Sequence, residues 1–287
     1  MLDKINLTEN QTDYAVYLPA LNGVYWRPLS NSISLHSEKG NIERCDFTSV
    51  NGAFQYKWSL ISAGGVELVS QNNPPHEAFY RQRNREQTFV LGDSGGYQIA
   101  KGRWEGNWNN KHCGKANNYR LRVLKWLDKY CDYGMCLDVP AWLLNEGQQV
   151  KDKTGIYKFY DAVSATHINN DLWLRIRKGD CKILNVLHGE KQMQADIWYD
   201  EFKNYCDPKF AENHFDGWAF GGNLKMHLPT VLTRLVHIIR DNLLQKGKHD
   251  WIHILGTSKP TFAVIATALQ RSLRKHVNSN VTISFDS

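Results

Sequence analysis

The chain has no long apolar run. Its longest strongly apolar stretch, Phe262 to Leu269, is far too short to cross a bilayer. The amino terminus, Met1-Leu2-Asp3-Lys4-Ile5-Asn6, lacks the hydrophobic core of a secretion signal. The six cysteines (Cys45, Cys113, Cys131, Cys136, Cys181 and Cys206) are scattered and contain no C-x-x-C pair. These absences predict reduced thiols in a cytosolic protein, with no membrane partner. His112-Cys113 with distant partners is the one zinc candidate. No G-x-G-x-x-G follows the first clear strand, which argues against dinucleotide binding. No internal repeat or low-complexity segment stands out.

What is present is ordinary in bulk and specific in detail. With 287 residues, 42% of them hydrophobic and 22% charged, the chain fits one large soluble α/β domain or two smaller ones. The 35 Lys and Arg outnumber the 29 Asp and Glu, and the net charge of +6 suits a polyanionic partner. The interval from Lys101 to Lys125 concentrates that charge. It carries Lys101, Arg103, Lys111, Lys115, Arg120, Arg122 and Lys125, interleaved with Trp104, Trp108 and Tyr119, and Trp126 follows. Cations beside aromatic faces are a nucleic-acid pattern. The competing reading is a solvated loop plus an amphipathic helix. After Asn118 the helix reading holds, because Leu121, Val123, Leu124, Leu127 and Tyr130 recur at helical spacing. The loop from Lys101 to Lys115 remains the nucleic-acid candidate.

From about residue 86, short β-like runs alternate with helical ones. Expected strands are Thr88–Leu91, Met135–Leu137, Ile183–Leu187, Trp218–Phe220, Ile252–Leu255 and Val281–Phe285. Expected helices are Asn118–Tyr130, Tyr157–Lys178, Gln192–Tyr205, Thr230–Gln245 and Thr261–His276. Regular βα alternation predicts a parallel sheet covered by helices. Two further strands, for which Phe54–Leu60 and Val66–Ser70 are candidates, would close a (β/α)8 TIM barrel. A doubly wound open sheet is the alternative. Residues 1–50, polar and rich in Asn and Ser, read as an irregular N-terminal extension, and 51–287 as the barrel.

Nearly every expected strand ends in a polar or glycine cluster. These are Asp93-Ser94-Gly95-Gly96, Asp138-Val139-Pro140, His188-Gly189-Glu190, Gly221-Gly222-Asn223, Gly256-Thr257-Ser258 and Asp286-Ser287. Each alone has a bland explanation: a turn, a helix cap, a satisfied core histidine. Their recurrence at the end where barrel enzymes keep their active sites predicts one shared pocket.

Asp93-Ser94-Gly95-Gly96-Tyr97-Gln98 resembles the signature of the tRNA-guanine transglycosylases, which exchange guanine for a 7-deazaguanine base. The likeness continues in order through Cys136-Leu137-Asp138, Leu187-His188-Gly189 and Phe215-Asp216-Gly217-Trp218-Ala219-Phe220-Gly221-Gly222. Ile254-Leu255-Gly256-Thr257-Ser258-Lys259-Pro260 and Ser284-Phe285-Asp286 complete it, so the match covers roughly residues 85–287. There are departures. His188 stands where the family has Gln, and Asn223 where a Leu follows the glycine pair. Nothing supplies the family's carboxyl-terminal C-x-C-x-x-C…H zinc subdomain. The pattern is most similar to the phage and bacterial branch that acts on DNA, in the host cytoplasm where a phage encodes it. The chain stops one residue past Asp286, which suggests truncation after the last strand.

The resemblance implies a pentosyltransferase that replaces guanine in DNA with a preQ0-like base. It implies Asp286 as nucleophile, Asp93 as acid/base, and Ser94, Gly95, Asp138, His188, Gly221, Gly222 and Asn223 as base contacts. Ser94 would orient Asp93 or touch the base, and the Gly221 and Gly222 N–H groups would meet its 6-oxo group, with His188 a further donor to that oxygen. No cofactor or metal is implied, since the free incoming base is the second substrate; DNA is the expected partner, with a helper ATPase a further candidate. The rival readings are a tRNA transglycosylase without its zinc subdomain, a non-catalytic binding homologue, and an unrelated sugar hydrolase using Asp93 and Asp286.

Overall fold

Alternating apolar residues build nine short parallel strands in the computed structural model, which describes residues 13–35, 43–68, 75–178, 181–222 and 227–287. They are β1 (Val16–Leu18), β2 (Ala20–Leu21), β3 (Trp58–Ser62), β4 (Phe89–Asp93), β5 (Tyr133–Met135), β6 (Lys182–Leu187), β7 (Gly217–Phe220), β8 (Trp251–Ile254) and β9 (Thr282–Asp286). The ladder runs β1-β9-β8-β7-β6-β5-β4-β3-β2, so its two ends are β1 and β2. Those two are consecutive in sequence and separated only by Pro19. Proline has no N–H to give the ladder, so one strand is split in two. Its first half pairs with β9, Leu18 opposite Asp286, and its second with β3, Ala20 opposite Leu60. The Pro19 carbonyl still accepts from the Leu60 N–H at 3.0 Å. The sheet thus closes into a (β/α)8-like barrel.

The six later strands and five helices lie close to where periodicity put them. The helices are numbered with the shorter ones: α1 (Gly23–Leu35), α2 (Ala78–Arg81), α3 (Gly96–Ala100), α4 (Gly114–Tyr130), α5 (Gln148–Thr154), α6 (Phe159–Ile176), α7 (Gln192–Phe202), α8 (Leu228–Arg240) and α9 (Pro260–His276). The two opening strands were misplaced. The first lies at residues 16–21, inside the stretch expected to be irregular, and α1 follows it. The second is Trp58–Ser62, overlapping only the end of Phe54–Leu60. Val66 to Leu68 form no strand, and Val69 and Ser70 lie outside the described residues.

The amino-terminal end of the barrel is plugged with rings. Trp58, Phe89, Tyr133 and Trp251 each open a strand. Phe89 stacks on Trp251 at 4.6 Å, and Trp251 meets Tyr133 at 5.0 Å and Trp58 at 6.0 Å. β8 is not a neighbour of β3, β4 or β5, so these contacts cross the barrel interior. Side chains alternate along a strand, so the inward face set by Phe89 also holds Leu91 and Asp93. A Cβ on Gly92 would meet Leu127 and Cys131, which confirms that Gly92 faces α4 instead. The same alternation turns His253 inward above Trp251, and Asp286 inward above Ser284.

All six cysteines are free thiols, four of them buried. Among the described residues no helix is long and apolar enough to cross a membrane. The aromatic residues of the Lys101 to Lys125 interval are not open stacking faces. Trp108 and Trp126 are buried. Trp104 stacks on Tyr119 at 4.9 Å. Arg120, also buried, is spent on Trp108 O, Asn117 Oδ1 and Asn169 Oδ1. Much of that pattern is therefore a bracket fixing the loop after α3 to α4 and α6. Arg103, Lys111, Lys115 and Lys125 stay exposed.

Candidate active site

A cavity of about 370 Å³ opens at the carboxyl ends of the strands. Asp93, Asp138, His188, Gly221 and Gly222 line it, with Tyr97 and Trp142 facing each other at 5.8 Å between ring centroids. The strand ends following β4, β5, β6 and β7 therefore do converge. Asn223 lies outside the described residues.

Asp93 ends β4 in register with Ser62, the last residue of β3. The Ser62 hydroxyl donates to Asp93 Oδ2 at 2.7 Å, and the Gly95 N–H donates to Oδ1 at 3.2 Å. Burial pushes the Asp93 carboxyl above its ordinary value. Those two donors pull it back, and the nearby charges of Asp138 and Asp286 push it up further. The result is a carboxyl that holds its proton more readily than usual. Ser94, expected to orient Asp93 or touch the base, does neither: it is fully buried and its hydroxyl donates to Cys136 O at 2.9 Å. Ser62 performs the orienting task. Its signal, a polar residue closing an apolar run, was too weak to read alone.

The two glycines after Ser94 are needed for different reasons. Gly95 has φ of +87°, and a Cβ there would fall 2.5 Å from the Trp104 ring. A Cβ on Gly96 would fall 2.9 Å from the Asp138 carbonyl oxygen, so the start of α3 is pressed against the Asp138 backbone. Gly96, rather than Gly95, borders the cavity.

Asp138 sits on a loop that α6 holds from below. Thr166 Oγ1 accepts the Val139 N–H at 2.9 Å, and Asn169 Nδ2 donates to Leu137 O at 2.6 Å. The buried carboxylate meets His188 Nε2 at 2.6 Å from Oδ2. His188 is fixed in turn by the edge of Trp198 on α7, 5.0 Å away. The Gly221 N–H, expected to meet the ligand, is already given to Leu187 O at 2.9 Å.

Asp286 stands at the same end of the barrel but does not line this cavity. The loop after β8 wraps it: the Gly256 N–H donates to Oδ1 and the Thr257 N–H to its carbonyl, both at 2.5 Å. Beneath it lies a polar column that periodicity could not reveal. Trp251 Nε1 donates to Ser284 Oγ at 2.8 Å, and Ser284 Oγ lies 2.8 Å from His253 Nδ1. Having accepted the indole hydrogen, the serine can still donate its own hydrogen to Nδ1, a pairing that would leave the ring proton on His253 Nε2. That nitrogen is 3.2 Å from Asp286 Oδ1, though off the line of a hydrogen bond, and it has no other partner among the described residues.

No group of three or more His, Cys, Asp or Glu side chains is arranged to hold a metal among the described residues. His112 is exposed and Cys113 forms the amino-terminal cap position of α4. No protein-family model matches the chain, and no curated protein matches it.

Proposed function

We propose that this protein is a base-exchange transglycosylase that replaces guanine in DNA with a 7-deazaguanine base through a covalent Asp286–deoxyribose ester. One observation carries the reading. The motifs that resemble the transglycosylases lie far apart in sequence, yet Asp93, Asp138 and His188 border one cavity and Asp286 ends β9 at the same end of the barrel.

A flat ring entering the cavity beside the Tyr97–Trp142 pair would meet aromatic side chains, and Asp138 Oδ1 would accept from the N1–H and exocyclic amine of a guanine edge. The target nucleotide must leave its base stack to reach such a pocket. Asp286 attacks C1′ as the C1′–N9 bond breaks, and the bonding pair leaves with guanine. Asp93, whose raised pKa suits a proton carrier, protonates the departing base. The incoming base gives its N9 proton to Asp93 and attacks C1′, releasing Asp286. Two displacements retain the configuration, as in the two-carboxylate glycosidases. The exposed Arg103, Lys111 and Lys115 are the cations best suited to the phosphate backbone.

The test is direct. Labelled guanine is incubated with the protein and either DNA or tRNA, and nucleosides from DNA co-expressed with a deazaguanine supply are examined by mass spectrometry. Label entering DNA supports the reading. Label entering tRNA alone moves the substrate to RNA, and label entering neither polymer refutes base exchange.

A further inference from the structure

The donors expected to satisfy a ligand oxygen are in part already used. The Gly221 N–H goes to Leu187 O. His188 is the side chain best placed to supply another, and its own partner constrains it. Asp138 Oδ2 lies 2.6 Å from His188 Nε2, and a carboxylate only accepts, so the proton sits on Nε2. A neutral ring then presents a bare Nδ1. That atom faces the glycine turn after β7: a Cβ on Gly222 would lie 3.0 Å from it, and one on Gly221 3.4 Å. His188 is one of the residues that line the cavity.

A guanine-type base brings donors on N1 and its amine, which the carboxylates accept, and one acceptor, the 6-oxo group. Against a bare Nδ1 that oxygen meets a second lone pair. Protonation of Nδ1 turns the repulsion into a charge-assisted hydrogen bond, while Asp138 balances the imidazolium. We propose that a 6-oxopurine-type base is bound together with one proton, carried on His188 Nδ1. This rests on the base-exchange reading. The titratable groups that share the cavity with the ring are Asp138 on the loop after β5, Asp93 at the end of β4 and Tyr97 on α3; Asp286 on β9 acts on Asp93, the Cys136 thiol on Asp138, and Glu190 lies on the same loop as the ring.

Linkage sets the signature. Above the pH at which the free ring loses this proton, guanine affinity should fall by up to about tenfold per pH unit. His188→Gln puts a neutral amide in place of the titratable ring, so whatever guanine binding it retains should lose that slope.

Two measurements on the intact protein decide the matter. The first needs no ligand: ¹⁵N spectra of the histidine rings, with His188 assigned by its absence in His188→Gln. A neutral ring protonated on Nε2 is expected, and one protonated on Nδ1 would overturn the proposal whatever the substrate. The second is equilibrium dialysis with radiolabelled guanine between about pH 5.5 and 8.5, with thermal melts to show that both proteins stay folded. A slope present in the wild type and absent in His188→Gln supports the proposal. A flat wild-type profile, or a slope that persists in the variant and so belongs to Asp93, overturns it and leaves base exchange standing. Failure of both proteins to bind guanine at any pH removes the base-exchange reading and this proposal with it.

Discussion

The two ends of the barrel are built from opposite materials. At the amino-terminal end Trp58, Phe89, Tyr133 and Trp251 meet ring against ring, with centroids 4.6–6.1 Å apart. At the carboxyl end β4 and β9 terminate in Asp93 and Asp286, joined by Asp138 and His188 from the loops. The floor gains stability from apolar contact and asks little of geometry beyond packing. The rim gathers carboxylates that repel one another and are partly desolvated, which costs stability. A fold can carry such a rim because the other end supports it.

Four substitutions test that division, beginning with the largest effect. Asp286→Asn should lower base exchange roughly ten-thousand-fold or more and abolish the covalent adduct, with the unfolding midpoint nearly unchanged. Full exchange in that variant, or an adduct on another residue, would remove Asp286 from the mechanism. Trp251→Ala should do the converse, costing about 3–5 kcal/mol in denaturant unfolding by opening the floor. It also strips Ser284 of its indole donor, so it doubles as a probe of the column beneath Asp286. A loss below about 1 kcal/mol would mean that the floor is not what supports the barrel.

Gly96→Ala falls between the two ends. Its Cβ must displace the Asp138 backbone, so a cost of about 1–3 kcal/mol is expected, together with weakened guanine binding in dialysis. Unchanged guanine binding would show that Asp138 tolerates the shift. The smallest change is Asp93→Asn. A carboxyl whose pKa is raised by folding holds its proton more tightly folded than unfolded. Stability therefore falls as the pH rises from the ordinary carboxylate value through the raised one. The asparagine variant should melt higher than the wild type at neutral pH and lose that advantage in acid, below ordinary carboxylate titration. Equal melting at neutral pH would show that the rim carries no such cost at Asp93.

Much of the site was legible because strand ends announce themselves. An apolar run such as Thr88 to Leu91 followed by Asp93-Ser94-Gly95-Gly96 marks both the strand and its exposed end, and the alternation with helices says that such ends share a face. Roles within a cluster were harder to read. Asp93 and Ser94 are adjacent, yet one faces the cavity and the other is fully buried against Cys136. Period-two alternation separates them only once the strand's last inward residue is known. Trp142, on a short turn after Pro140, had no signal distinguishing it from a core tryptophan, whereas Trp108 looked like a base-stacking residue and is buried.

By itself the sequence determined the alternation of parallel strands with helices from about residue 86 and the set of polar strand ends, since both follow from local periodicity and turn chemistry that neighbouring residues carry among themselves. Only the tertiary structure decided how the barrel closes and which atoms each polar group faces. The closing strand is three residues, a proline and two more, too short for any pattern, and its partners Ser284 to Asp286 lie at the other end of the chain. The contact of His188 with Asp138 and the column from Trp251 to Asp286 likewise depend on distant strands and loops, which no spacing along the chain encodes.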